Sequence, residues 1–240
     1  MRLDVYLFSA GLVKSRTESK GFITSGAVTV NSRVITKPSF EVCEADEVTV
    51  DTGSKRFVGR GGLKLEHALK SFEISVLDRL CIDVGASSGG FTDCLLKSGA
   101  AHVIAVDAGS GQLVDEIRTD ERVTVFENYN ARYMKSEDFE YIPSLAVMDV
   151  SFISSTYIIP SLYNVLADGA DFVLLIKPQF EVGRSGIKKG GLVKDERTAK
   201  SAVDKVVAFA LSVGFASLGV ITSPITGGDG NTEYLAHFKK

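Results

Sequence analysis

The sequence predicts an α/β protein in two parts, a small α+β domain at about 1–52 and a doubly wound, mostly parallel sheet over about 60–240. Three observations predict it. From residue 60 onward, short β-rich runs alternate with helix-like stretches. Several of those runs are continuously apolar, as strands covered on both faces require. The first fifty residues instead show two short helical patterns followed by small strand signals.

In the first part, Leu3, Val5, Leu7 and Phe8 suit a short helix that Gly11 stops. Ser15 suits the cap of a second helix running through Ser25. AVTV, a turn at Asn31-Ser32, RVI and DEVTV then give a small curled sheet, with Pro38 between. Asp51-Thr-Gly-Ser opens a linker, placed at 53–59. In the second part the strands are LCIDV (80–84), HVIAV (102–106), VTVF (123–126), LAVMD (145–149) and FVLLI (172–176). Helices are expected at 63–72, 90–98, 110–118, 154–167 and 195–212. FASLGVI and TEYLAHF close the sheet, for seven strands in all. Ligands of such a sheet sit at the carboxyl ends of the strands, near the switch in strand order.

At 240 residues and 45% hydrophobic, the chain can bury a substantial core. No run approaches the roughly 20 apolar residues of a membrane span. Asp4 interrupts the only candidate signal-peptide core, so a cytoplasmic location is expected. Cys43, Cys81 and Cys94 form no CxxC pair and His67, His102 and His237 show no ligand spacing, so no metal site is expected. Cys81, in an apolar run, reads as core filling. The net charge is −3, but it is unevenly distributed. Residues 1–40 hold Arg2, Lys14, Arg16, Lys20, Arg33 and Lys37 against Asp4 and Glu18, and five acids follow in 41–51. A second basic cluster spans 184–200, with Arg184, Lys188 and Lys189 at its start. Two basic patches on an acidic chain point to a localised polyanion site.

The first strand of the sheet runs into Asp83-Val-Gly-Ala-Ser-Ser-Gly-Gly-Phe-Thr92. Small residues between a strand and a helix let a ligand approach the backbone closely. A phosphate-binding GxxxxGK[ST] loop is disfavoured because Phe91 occupies the lysine position. A dinucleotide GxGxxG is weakened by Ser87. The remaining option puts Asp107, at the end of the next strand, on a ribose diol and Asp83 near a cationic amino-acid end. That pattern suits S-adenosylmethionine, held by Asp83, Gly85, Ser87, Gly89, Gly90, Phe91 and Asp107, with Asn130 near the adenine.

GRGGLKL (59–65), DVGASSGGFTDCLL, Asn130-Ala-Arg132, MDVSFIS, LIKPQFEVG and GNTEY (230–234) together resemble the TlyA family, also called hemolysin A. The family comprises ribosomal RNA 2′-O-methyltransferases with an FtsJ-like catalytic domain of the Rossmann-like class I type. RLDVYL, KSRTES and GAVTVN resemble the αL RNA-binding motif named after a small-subunit ribosomal protein. The resemblance implies a Lys–Asp–Lys–Glu catalytic set at Lys64, Asp149, Lys177 and Glu233. It explains why the apolar run FVLLI ends on an ammonium group: Lys177 would be the base that deprotonates a ribose hydroxyl. It implies transfer from S-adenosylmethionine to a cytidine ribose of ribosomal RNA, presented by an assembled subunit. Arg2, Lys14, Arg16 and Lys20 are expected on phosphates, with Arg60, Arg184, Lys188 and Lys189 flanking the catalytic mouth. The chain begins almost on the RNA-binding motif and ends soon after Glu233, like the family members that modify the large subunit only. Two other classes remain: a membrane-active hemolysin, which needs an apolar or amphipathic span, and a ribosome-assembly factor that binds RNA without catalysis.

Overall fold

The computed structural model describes residues 1–240 except Ser25, Ser32, Glu44, residues 51–56 and the side chain of Arg184. Residues 53–56 of the expected linker therefore lie outside the described residues. The chain divides into two compact units, Met1–Arg60 and Gly61–Lys240. The division falls between Arg60 and Gly61.

In the first unit, α1 (Leu3–Ser9) and α2 (Arg16–Thr24) precede an antiparallel sheet of order β2-β1-β3, formed by β1 (Val28–Val30), β2 (Arg33–Val34) and β3 (Val48–Val50). Gly11 follows α1 in the left-handed region at φ 70°, where a helix cannot continue. The Ser15 hydroxyl accepts from the Glu18 amide at 3.1 Å, and the Glu18 carboxylate accepts from the Lys14 amide at 2.6 Å, so α2 starts on a near-reciprocal cap. Leu3, Leu7, Phe22, Ile23, Val28 and Val30 form its core.

The second unit opens with α3 (Gly61–Ser71) and carries a seven-stranded sheet. Its strands are β4 (Leu80–Val84), β5 (His102–Val106), β6 (Val123–Phe126), β7 (Leu145–Met148), β8 (Asp171–Ile176), β9 (Ala216–Thr222) and β10 (Tyr234–Lys239). The order is β6-β5-β4-β7-β8-β10-β9, parallel from β6 to β8, with β10 antiparallel to both its neighbours. The sequence runs read as strands are therefore all strands. Every residue of β7 and β8 is buried, consistent with their unbroken apolar text. Each fully buried Leu, Met or Phe of this kind contributes about 1.5–3 kcal/mol relative to an exposed one.

Helices diverge more from expectation. The stretch 110–118 contracts to α5 (Asp115–Arg118), because Gly109 and Gly111 let the chain turn back around Asp107. The stretch 154–167 splits into a tight turn at Ser155–Tyr157 and α6 (Ile159–Val165), with Pro160 in the first turn, where no amide donor is required. Pro178 likewise opens α7 (Pro178–Glu181), a one-turn helix that the apolar pattern did not show. α4 (Gly90–Lys97) and α8 (Glu196–Val213) stand close to the expected positions, and the Asp195 carboxylate caps α8 through the Thr198 amide at 2.7 Å.

Candidate active site

Parallel strands bring the ends of β4, β5, β7 and β8 to one edge, and the chain switches sides at β4. The crevice above β4 is where a doubly wound sheet exposes loops and helix starts to a ligand. Loop 85–89 fills that position. Gly85, Ser87 and Gly89 adopt positive φ of 87°, 49° and 97°. A Cβ on Gly85 would stand 2.3 Å from the Asp149 carbonyl oxygen, so only glycine lets the loop pass against the end of β7. Gly90 and Phe91, both buried, begin α4.

Two carboxylates flank this loop. Asp107, one residue beyond β5, accepts from the Ser87 amide and from the Gly109 amide, each at 2.7 Å. Two backbone donors thus fix its direction. Asp83 is fully buried within β4; one oxygen accepts from the Thr92 hydroxyl at 2.7 Å, and the other has no hydrogen-bond partner among the described residues. Burial pushes its pKa up to about 7, aided by the charges of Asp149 and Asp107 against the Thr92 hydrogen bond. Asn130 is exposed and accepts from the Arg132 amide at 3.2 Å, capping the turn at 131–133. The Cys81 thiol is held at about 12 by burial, which suits inert core filling.

The four charged residues expected to act together form two ion pairs. Asp149 follows β7 and Lys177 follows β8; Lys177 Nζ lies 2.5 Å from Asp149 Oδ1 and donates to the Ser151 hydroxyl at 2.8 Å. The contact with Asp149 is one of charge, without hydrogen-bond alignment. This pair stays open to solvent, with side chains 13% and 20% exposed. Lys64 of α3 and Glu233 pair directly and are almost wholly buried. Glu233 stands one residue before β10, not within it, and Tyr234 pairs with Ile176, so Glu233 falls beside Lys177 at the sheet edge. Gly227 makes room for its carboxylate, since a Cβ there would lie 2.7 Å from Glu233 Oε1.

Three site residues escaped the sequence reading. Ser151 takes a hydrogen bond from Lys177, as above. Glu181 is buried and accepts from the Ser155 amide and hydroxyl, both at 2.8 Å, and from the Ser154 hydroxyl at 2.5 Å. Asn231, also buried, accepts from the Val193 amide at 2.9 Å and donates to the Gly191 carbonyl at 3.0 Å, tying the Glu233 loop to the turn at 188–192. The motifs around all three were visible, but nothing local marks a contact partner 26 or 40 residues away.

The expected basic residues fall in separate groups. Arg2 is bidentate on the buried Asp4 at 2.9 and 3.2 Å, and Arg16 reaches the same carboxylate at 3.5 Å. Lys14 and Lys20 are exposed nearby in sequence. The Arg60 guanidinium packs against Gly26, within 3.1 Å of where a Cβ on that residue would stand. Lys188 and Lys189 are exposed at the turn bridged by Ile187 and Val193. The side chain of Arg184 lies outside the described residues. No group of metal-ligating side chains is found among the described residues, and none of their helices is long and apolar enough to cross a membrane.

A seven-stranded sheet with β10 reversed, a glycine-bearing loop after β4 and an acid after β5 define a Rossmann-like class I methyltransferase domain. Comparison with known proteins gives the family. Residues 57–240 match the FtsJ-like methyltransferases and residues 1–48 match the S4 domain, so the chain belongs to the FtsJ-like methyltransferase family and carries an S4 domain. It is 42% identical over 98% of its length to the 16S/23S rRNA (cytidine-2′-O)-methyltransferase TlyA of Mycobacterium tuberculosis, and 88% of that protein is covered. A solved protein from Streptococcus thermophilus, described as a candidate hemolysin, shares 44% identity over all of this chain and 88% of its own, with a TM-score of 0.79. An S-adenosylmethionine-dependent methyltransferase from Mesorhizobium loti, 15% identical over 72% of this chain and 96% of its own with a TM-score of 0.55, shares the fold alone.

Proposed function

We propose that this protein methylates the 2′-hydroxyl of a ribose, that of a cytidine in ribosomal RNA, with S-adenosylmethionine as donor and the large subunit as substrate. The observation that carries the reading is the partly exposed Lys177–Asp149 pair at the sheet edge that also bears Asp83 and Asp107. The residues fit the donor. Asp107, oriented by two amides, suits a ribose diol, and the buried unpartnered oxygen of Asp83 suits an ammonium group. Gly85, Ser87, Gly89, Gly90 and Phe91 would line its path and Asn130 its adenine end. The bound donor supplies an electrophilic methyl on a sulfonium.

A ribose hydroxyl is a poor nucleophile at neutral pH, so a base must take its proton as the new C–O bond forms. Lys177, as the neutral amine, would accept that proton at Nζ and release it to solvent afterwards. Asp149 and Ser151 aim the amine. Lys64 and Glu233, paired with each other and almost wholly buried, would instead hold the ribose in line, and positioning of this kind is worth on the order of several kcal/mol. Arg2, Lys14, Arg16 and Lys20 of the S4 domain would take RNA phosphates, with Lys188, Lys189 and Arg184 at the catalytic unit. The TlyA relative's cytidine specificity supports the choice of nucleoside.

The test is methyl transfer from labelled S-adenosylmethionine to ribosomal subunits from a strain lacking this protein, followed by primer-extension mapping. Label on one cytidine ribose of the large subunit is expected. Label on a base, or transfer that survives Lys177→Ala, would overturn the assignment. Deleting residues 1–52 is expected to weaken RNA binding while leaving S-adenosylhomocysteine binding nearly intact.

A further inference from the structure

The loop that follows β7 carries two of the groups around Lys177, yet the sheet fixes only its beginning. The Asp149 amide donates to the Val84 carbonyl at 3.0 Å, and no strand pairing extends beyond Met148. The loop then runs through Ser151 and Phe152, both exposed, and Phe152 takes a positive φ of 64°. Its far end meets Glu181. One oxygen of that carboxylate takes the Ser155 amide and hydroxyl, and the other takes the Ser154 hydroxyl. Ser154 in turn caps the turn at 155–157 through the Thr156 amide.

Glu181 is 7% exposed, and among the described residues its hydrogen bonds come from neutral donors, Ser154 and Ser155. Burying a carboxylate costs free energy that an apolar side chain of similar size would avoid. Three converging donors offset part of that cost, and what they add is direction. Glu181 also closes α7, the single turn that starts at Pro178 directly after Lys177. The same carboxylate therefore spans from the lysine's own helix to the end of the loop bearing Asp149 and Ser151. The Phe152 and Phe180 rings, with centroids 5.1 Å apart, make a parallel link between the same two segments.

We propose that Glu181 is a positioning residue that, through Ser154 and Ser155, holds the Asp149–Ser151 loop in contact with the Lys177 amine. The inference rests on the reading of Lys177 as the base. When Glu181 is altered, the loop end is released, Ser151 and Asp149 drift from Nζ, and the amine loses the groups that aim it. A displacement of about 1 Å at such a site can cost roughly 100-fold in rate.

The test compares Glu181→Gln and Ser155→Ala with the parent protein in the labelled methyl-transfer assay. Glu181→Gln keeps volume and one acceptor but turns a second acceptor into a donor; Ser155→Ala removes one donor with little change in bulk. Both variants are expected to bind S-adenosylhomocysteine normally and to lose about 10- to 100-fold in kcat at unchanged KM for S-adenosylmethionine. Combining Glu181→Gln with Ser151→Ala is expected to cost little beyond the larger single loss. A normal kcat in both variants, or a lowered kcat with strictly multiplicative losses in the double variant, would overturn the proposal. Lys177→Ala separates the two readings: an active Lys177→Ala protein removes the base assignment itself, whereas an inactive one beside normal Glu181 and Ser155 variants removes only the positioning role.

Discussion

Glu233 stands beside Lys177 at the edge of the sheet, yet its carboxylate is bonded to Lys64, 169 residues away in sequence. The site therefore holds two ion pairs of different character. The Lys64–Glu233 pair is almost wholly buried, and the Lys177–Asp149 pair is partly exposed. A buried pair broken on one side leaves an uncompensated charge, at a cost of about 3–5 kcal/mol.

Lys64→Met is accordingly expected to destabilise the second unit by about that amount in urea unfolding, and Glu233→Leu to do the same. The double variant should recover most of the loss, since two apolar side chains can replace a buried pair, while remaining inactive. A double variant no more stable than either single one would show that the pair is not coupled as its geometry indicates.

Lys177 answers to a different experiment. Its pair is more exposed than the Lys64–Glu233 pair, so Lys177→Ala should destabilise the protein less than Lys64→Met does. Methyl transfer should nonetheless be abolished with S-adenosylhomocysteine binding retained. Lys177→Arg should fail as well, because a guanidinium stays protonated and cannot serve as base. An active Lys177→Arg protein would mean that the residue supplies only charge.

Much of the catalytic unit was legible because its strands announce themselves: LAVM and FVLLI are unbroken apolar runs, and both prove buried on both faces. The strand ends then place Asp149 and Lys177 without further help, since parallel strands share one carboxyl edge. The pairing of charges was not legible. Nothing in the text around Lys64 says that it meets Glu233 rather than standing as a lone like charge near Lys177. Glu181 was hidden for a related reason. Its donors lie 26 residues earlier on another loop, and no periodicity records a contact made through folding. α7 was missed because a single turn after proline is too short to show a 3.6-residue pattern.

Asp83 gives the site a pH dependence of its own. Its pKa is raised to about 7, so the folded protein favours the protonated acid. Stability from this group is fully present below the ordinary carboxylate range and is lost as pH rises from there through about 7. If the donor's ammonium meets the unpartnered oxygen, binding near pH 6.5 should ionise the acid and release up to about one proton. Titration calorimetry with S-adenosylhomocysteine in buffers of different ionisation enthalpy reads that release directly. Asp83→Asn should bind more weakly and release none. A parent enthalpy independent of buffer would separate Asp83 from the ammonium.

The S4 domain offers a test in which charge and geometry predict opposite signs. Asp4 is fully buried beneath Arg2 and Arg16, and the Arg2 guanidinium holds its carboxyl below the usual carboxylate range despite burial. Replacing it by Asn removes one negative charge from a basic surface. If only net charge mattered, RNA affinity would rise and the salt dependence would steepen. If Asp4 instead holds the two arginines at one spacing, the freed guanidinium groups lose their common direction. Affinity for ribosomal RNA should then fall by roughly tenfold, about 1.4 kcal/mol. The slope of binding against salt should flatten as phosphate contacts are lost. Arg2→Lys with Arg16→Lys makes the complementary change, keeping the charge while removing the planar fork, and should weaken binding in the same direction. Circular dichroism melting of each variant checks that the domain remains folded. Tighter binding by Asp4→Asn would assign the surface to bulk electrostatics and leave its buried acid a purely structural part of α1.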